Sequence, residues 1–237
     1  MAITFATDVS PIVFDLETAP LADVAQYLDP PDLTDIQAPS NYVKPEAIAA
    51  YVERERAKRL TEFAERCASS AALDPNCARI VALGWWTQTE AEYRPLRTEA
   101  EEAQAIAVFW KRAQHRTLVG FRIRELDLPM LIQRSRYLDV AHPALDLGRY
   151  TRGASIDDLY DLLTFHDARG ERVMRRGLTA FARRFGLPVT DTIRGEDIPA
   201  LVAAGDWEAV VSHVQADVAL TVALARRLRV IHDEDAR

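Results

Sequence analysis

The sequence predicts an α/β fold in which a mixed central β-sheet is flanked by helices. Three observations carry that expectation. Apolar runs of strand length, Ile12-Val13-Phe14 and Arg79 to Trp86, fall in the first half of the chain. From residue 99 onward, strand-like runs alternate with stretches whose apolar residues recur at helical spacing. The last third is almost wholly helical in pattern, and strands followed by strand–helix alternation indicate a layered α/β arrangement.

The elements follow in order. Ile12-Val13-Phe14 leads through Asp15-Leu16-Glu17-Thr18 to Pro20, a short strand ending in a loop. Residues 20–44 are rich in Pro and Asp and read as a meandering surface segment. Pro45 suits a first helical turn and opens an amphipathic helix of roughly 45–70. Its Ile48, Val52, Leu60, Phe63 and Cys67 share a face suited to packing. Arg79 to Trp86 is apolar enough for a central strand, with a hairpin partner near Tyr93–Arg97. Trp85 and Trp86 face opposite ways on a strand, so at least one is core and the other could stack a base.

Glu99–Gln114 reads as a helix with glutamates in its first turn, where the helix dipole favours them. Thr117–Phe121 is a further buried strand, Leu128–Tyr137 a helix, and Ala144–Leu147 a possible short strand. Helices follow at Ile156–Phe165, Leu178–Phe185 (closed by Gly186), Ile198–Ala204 and Trp207–Val230. No internal repeat or linker interrupts this order. Residues 1–237 read as one domain, with residues 20–76 inserted between the first and second strands.

Composition sets outer limits. The 237 residues are 49% apolar and 27% charged, proportions of an ordinary globular protein. No stretch approaches 18 consecutive apolar residues, and the first residues lack a signal-peptide pattern, so neither a membrane span nor secretion is expected. Cys67 and Cys77 form no CxxC pair and read as small buried thiols in a reducing, cytoplasmic setting. Net charge is −7 but unevenly spread: −9 over residues 1–110, +6 over 111–184 and −4 over 185–237. The Arg-rich middle is either a footprint for phosphates or a surface paired with its own acidic flanks.

Four carboxylates stand out by position. Asp15 and Glu17 lie two apart on the first strand and so project from one face. They either cap a solvated strand end or share a cation that relieves their repulsion. Asp127 sits between a strand and a helix, where it could serve as an N-cap. Asp217 lies mid-helix among Val211, Val214, Val218, Leu220 and Val222, a costly place for an unpaired charge. His213, one turn earlier, projects from the same helix face. Converging oxygen donors of this kind suit Mg²⁺ or Mn²⁺ rather than zinc.

The segments FDLET (14–18), LVGFRIRELDLPML (118–131) and HVQADVALT (213–221) resemble the three motifs of the DEDD, or DnaQ-like, 3′–5′ exonucleases. Within that group the chain most resembles the proofreading-type domains related to family B DNA polymerases. The resemblance covers roughly residues 12–18 and 78–230. It implies a ribonuclease H-like three-layer fold, with Asp15, Glu17, Asp127 and Asp217 as metal ligands for two Mg²⁺ or Mn²⁺ ions per site. His213, where the family carries tyrosine at this spacing, would orient or deprotonate the attacking water. Phe121-Arg122 replaces the usual His-Asn or Asn-Gly, so Arg122 and Arg124 could hold phosphates, with Thr18 and Phe121 as further substrate contacts.

The expected activity is hydrolysis of phosphodiester bonds from the 3′ end of single-stranded DNA. Trimming of RNA or short oligonucleotides is the alternative within nucleases, and a catalytically weak nucleic-acid-binding module is the alternative outside them. A polymerase or other replication or repair partner would act in trans. Arginines of the 111–184 stretch would hold the nucleic-acid backbone and make binding weaken with salt.

Overall fold

A computed structural model describes residues 10–68, 70–147, 156–167, 169–173 and 175–232. β1 (Pro11–Pro20) lies at the centre of a five-stranded sheet of order β3-β2-β1-β4-β5, completed by β2 (Ala78–Trp86), β3 (Ala91–Pro95), β4 (Thr117–Gly120) and β5 (Ile156–Asp158). β1, β2 and β3 pair antiparallel, while β4 and β5 run parallel to β1. The sheet is mixed and has the ribonuclease H-like arrangement.

Both faces of β1 are covered, which is why its start reads as an unbroken apolar run rather than an alternation. Ile12 and Phe14 enter a cluster with Phe109 and Trp110 of α2 (Glu99–Ala113) and Leu131 of α3 (Asp127–Tyr137). Val13 enters the opposite cluster with Val218, Val222 and Leu224 of α7 (Trp207–Arg227). Asp15 and Glu17 follow Val13 in that alternation and therefore stand on the α7 side. Trp85 is core and Trp86 is partly buried against α7, with Arg226 over its ring at 5.3 Å.

Polar groups lock the α2–α3 layer in register. A capping box between Thr98 and Glu101 closes the start of α2. Glu102, fully buried, accepts from the backbone N–H of Ile80 at 2.9 Å and from Nε and Nη2 along one edge of the Arg134 guanidinium at 2.8 and 2.9 Å. One carboxylate thus ties α2 to both α3 and β2. Trp110 Nε1 donates to Ser135 Oγ at 2.9 Å, satisfying the indole inside the core.

Several expectations change. Residues 144–147 form no strand; the edge strand is β5, at the start of the region expected to be helical. Ile156–Phe165 divides into β5, a five-residue α4 (Leu159–Leu163) and the first strand of a small hairpin, β6 (Phe165–His166) with β7 (Arg172–Val173). Pairing with β4 decides the outcome there, not local helix propensity. α1 (Pro45–Ala68) is present, but none of its residues is buried. Of its expected packing face, Ile48 and Leu60 are exposed while Val52, Phe63 and Cys67 are partly buried, and the Pro/Asp-rich segment runs beside it through polar and aromatic contacts. Arg66 donates to the Asp29 carbonyl at 3.1 Å, and Tyr42 meets Tyr51 at 5.2 Å between ring centres.

Both cysteines are free, but only Cys77 is buried; Cys67 at the end of α1 is half-buried. α5 (Leu178–Arg184) and α6 (Ile198–Ala204) complete the α7 layer. Among the described residues, α7 is the one helix long and apolar enough by composition to cross a membrane. Here it packs on the sheet through Val210, Val214, Val218 and Leu224.

Candidate active site

Two glycines let three elements approach one point. Gly84 of β2 lies opposite Asp15, and a Cβ there would stand 2.8 Å from Tyr93 Cδ1 and 3.2–3.3 Å from methyls of Val214 and Val218. Its bare backbone therefore admits α7 close to the sheet. Gly120 ends β4, and a Cβ there would collide with Ile123 and lie 3.1 Å from the Phe14 carbonyl oxygen. The absence of a side chain lets the 121–126 loop fold back over β1 and deliver α3.

That loop is held by a carboxylate which the helical reading of 156–165 concealed. Asp158, buried at the end of β5, accepts from the backbone N–H of Arg122 at 2.8 Å, Arg124 at 3.1 Å and Tyr160 at 3.0 Å. Arg122 takes a left-handed conformation, φ 64°, to make its contact. Asp127 is the first residue of α3 rather than its N-cap, which is Leu126. The amides of Asp127 itself and of Leu16 on β1 lower its carboxyl, but burial outweighs them.

Three of the expected residues cluster tightly. Glu17, His213 and Asp217 each offer a ligand atom, and these atoms lie within 4.8 Å of one another. Asp15 joins them electrostatically. Burial raises its carboxyl well above the ordinary range, and Asp127, Glu17 and Asp217 each raise it further. Burial likewise raises Glu17 strongly, with Asp217, Asp127 and Asp191 adding to it. Asp127 is pushed up to about 7, mainly by burial, and Asp217 is also raised by burial although His213 pulls the other way.

Four such carboxylates disfavour one another's ionisation, which is the condition a divalent cation relieves. The donor set is carboxylate oxygen with one imidazole alongside, and no thiolate. It fits Mg²⁺ or Mn²⁺.

His213, only 4% exposed, bridges two acids. Its Nε2 lies 3.3 Å from Glu17 Oε1, and its Nδ1 hydrogen-bonds Asp191 Oδ2. Sequence reasoning missed Asp191. It lies in the irregular segment between α5 and α6, 22 residues before His213, and no spacing rule links the two. Burial alone would raise Asp191, but hydrogen bonds from His213 and from the amides of Ile193 and Thr192 hold it below the usual carboxylate range.

A cleft of about 530 Å³ opens over Asp15, Glu17, Asp191, His213 and Asp217, but not Asp127, walled by α5, α7 and residues 188–195. A larger cavity of about 1050 Å³ lies elsewhere, between the end of α2, the start of β4 and residues 140–145. None of the four carboxylates lines it.

The other expected contacts are placed differently. The Thr18 hydroxyl donates to the Ala72 carbonyl at 2.6 Å and so ties β1 to the 3-10 turn at Ser70–Leu73. Phe121 packs on Tyr160 and Phe181. Arg122 pairs with Glu125 at 3.0 Å and lies over the Tyr160 ring. The Arg124 guanidinium turns toward the carbonyl of Ile156 at 3.0 Å and Asp161 at 3.6 Å. Arg172 also pairs with Asp161, and Arg134 with buried Glu102. These four arginines are thus paired with the chain's own acids, three of them inside the 111–184 stretch and only Arg134 with a flanking acid, Glu102.

Comparison with known proteins gives a family and a fold. A family model described as "Predicted 3'-5' exonuclease related to the exonuclease domain of PolB" matches residues 75–234. The chain belongs to this family. The matched span contains Asp127, His213 and Asp217; Asp15 and Glu17 precede it and join the site through the central position of β1. Among solved structures, the family B DNA polymerase of the hyperthermophilic archaeon Pyrobaculum calidifontis is similar, with TM-score 0.57 and 17% identity. The likeness covers 96% of this chain and 25% of that one, so the chain spans about a quarter of the polymerase's length. At that identity the likeness speaks for the fold. No curated protein matches the sequence.

Proposed function

We propose that the chain is a divalent-cation-dependent 3′–5′ exonuclease that removes nucleotides from the 3′ end of single-stranded DNA. The reading is supported by the grouping of Glu17, His213 and Asp217, whose ligand atoms lie within 4.8 Å of one another, with Asp15 lining the same cleft and Asp127 near enough to raise the Asp15 carboxyl. Membership of a family related to a polymerase exonuclease domain supports DNA over RNA. Residues 1–237 act as one domain in this reading, with 20–76 as an insertion.

Asp15, Glu17, Asp127 and Asp217 would hold two Mg²⁺ or Mn²⁺ ions, which supply charge stabilisation for the attacking and leaving oxygens of a phosphodiester. The protein's part is to keep four mutually repelling carboxylates fixed and to shield them from water on the sheet side. His213 sits where it can orient the attacking water and accept its proton at Nε2. The cleft beside α7 would take an unpaired strand end.

The test is digestion of single-stranded DNA labelled at the 3′ or the 5′ end, with and without Mn²⁺, beside RNA of equal sequence. A 3′–5′ exonuclease releases the 3′ label at once as mononucleotide and shortens the 5′-labelled strand stepwise, only with the cation. Cleavage without a divalent ion, loss of the 5′ label first, or preferential digestion of RNA would overturn the corresponding part of the proposal.

A further inference from the structure

We infer that Asp191 is a positioning residue for His213: it fixes the ring and reserves Nε2 for the site. This rests on the exonuclease reading only for its kinetic consequence; the geometry stands apart from it. The Asp191 Oδ1 atom accepts from the backbone N–H of Ile193 at 3.0 Å, which anchors the carboxylate within its own turn. Its Oδ2 is then presented to His213 Nδ1. An ionised carboxylate can only accept, so the Nδ1 of the ring must carry the proton. The other nitrogen, Nε2, points at Glu17 Oε1 across 3.3 Å, on the side of Asp217 and the cleft.

Asp191 is the one hydrogen-bonded partner of the ring among the described residues, and without it the ring loses the contact that fixes which nitrogen faces Glu17. A carboxylate behind an imidazole selects the tautomer and the orientation together, and both decide which nitrogen can receive a proton. The pairing joins a residue of an irregular segment to one on α7. That segment, residues 188–195, therefore sets the chemistry of the site as well as walling it.

Asp191→Asn is the informative variant. Its amide oxygen can keep the Ile193 contact, while its NH₂ faces Nδ1 and forces that nitrogen to become the acceptor. Long-range proton–nitrogen NMR of the metal-free protein, recorded as a pH series up to the range where one ring nitrogen is bare, reads the tautomer of His213 directly. Wild type should show a proton on Nδ1 and Asp191→Asn a proton on Nε2.

In the digestion assay kcat should fall on the order of 100-fold, with KM changed by less than about threefold. Mn²⁺ affinity should stay within about threefold of wild type. An unchanged ring tautomer, an unchanged kcat in a cleaving wild type, or a loss of Mn²⁺ affinity as large as in Asp217→Asn would overturn the inference. Should the wild type fail to cleave any strand, the exonuclease reading falls while the NMR arm still decides the role of Asp191.

Discussion

His213 Nε2 lies 3.3 Å from Glu17 Oε1, and Asp217, one helical turn further along α7, completes a triangle of donors with them. The ring stands beside a cluster of carboxylates that raise one another's affinity for protons. Any cation entering the cluster meets the imidazole at its edge. The predictions follow from that arrangement.

Replacing Asp15 or Asp217 with asparagine should lower the rate of hydrolysis by about 1000-fold or more, equivalent to about 4 kcal/mol of transition-state stabilisation. Each change also removes one of four repelling charges. The metal-free variants should therefore melt at or above the wild-type temperature. Thermal denaturation in chelator, run beside the activity assay, checks both halves. A variant inactive because it unfolds would contradict the assignment.

Mn²⁺ should raise the melting temperature of the wild type, since binding to the native state alone contributes about 2.7 kcal/mol at a hundredfold excess over Kd. Asp217→Asn should lose most of that shift. Equal shifts in both proteins would place the cation elsewhere.

The metal-free protein should become less stable as pH rises from about 4 to 7. Asp127 moves from an ordinary 3.8 to about 7 on folding, so the folded state holds its proton more tightly than the unfolded chain. Its contribution is greatest below the unfolded value, declines through that window and is level above it. Asp15, Glu17 and Asp217, all raised, add with the same sign. Urea midpoints across this range in chelator should fall more steeply for the wild type than for Asp127→Asn; parallel profiles would refute the attribution.

The site is partly legible in the sequence, for local reasons. Asp15 and Glu17 alternate on a strand, Asp127 follows a strand end, and Asp217 interrupts an apolar helix, so each is conspicuous among its immediate neighbours. Asp191 and Asp158 are not. Asp191 matters only because the fold brings its loop to α7, and Asp158 lies in a stretch whose spacing suits a helix until pairing with β4 makes it a strand. The surface exposure of α1 is hidden for the converse reason. Helical spacing marks an apolar face, yet whether another element covers that face is decided by tertiary contacts.

Gly120→Ala should separate positioning from chemistry. The added methyl meets Ile123 and the Phe14 carbonyl, an overpacking that costs about 1–3 kcal/mol. The fold should persist while activity drops, because Asp127 reaches β1 through this turn. Unchanged stability together with unchanged activity would show that the 121–126 loop has room the structure denies it.

Arg134→Met should behave as a core lesion. It leaves buried Glu102 without its cation, a change that costs about 3–5 kcal/mol when one partner of a buried pair is removed. The salt dependence of DNA binding should not move, since this arginine is spent inside the fold. A reduced salt slope at unchanged stability would return it to the nucleic-acid surface.

In the function proposed above, carboxylates from β1, α3 and α7 form one cation site. Anomalous scattering from Mn²⁺-soaked crystals tests it most directly. Peaks are expected at about 2.0–2.2 Å from carboxylate oxygens of Asp15, Glu17, Asp127 and Asp217. Mn²⁺ bound only elsewhere, or Asp217 lying too far from Asp15 to share an ion with it, would contradict it.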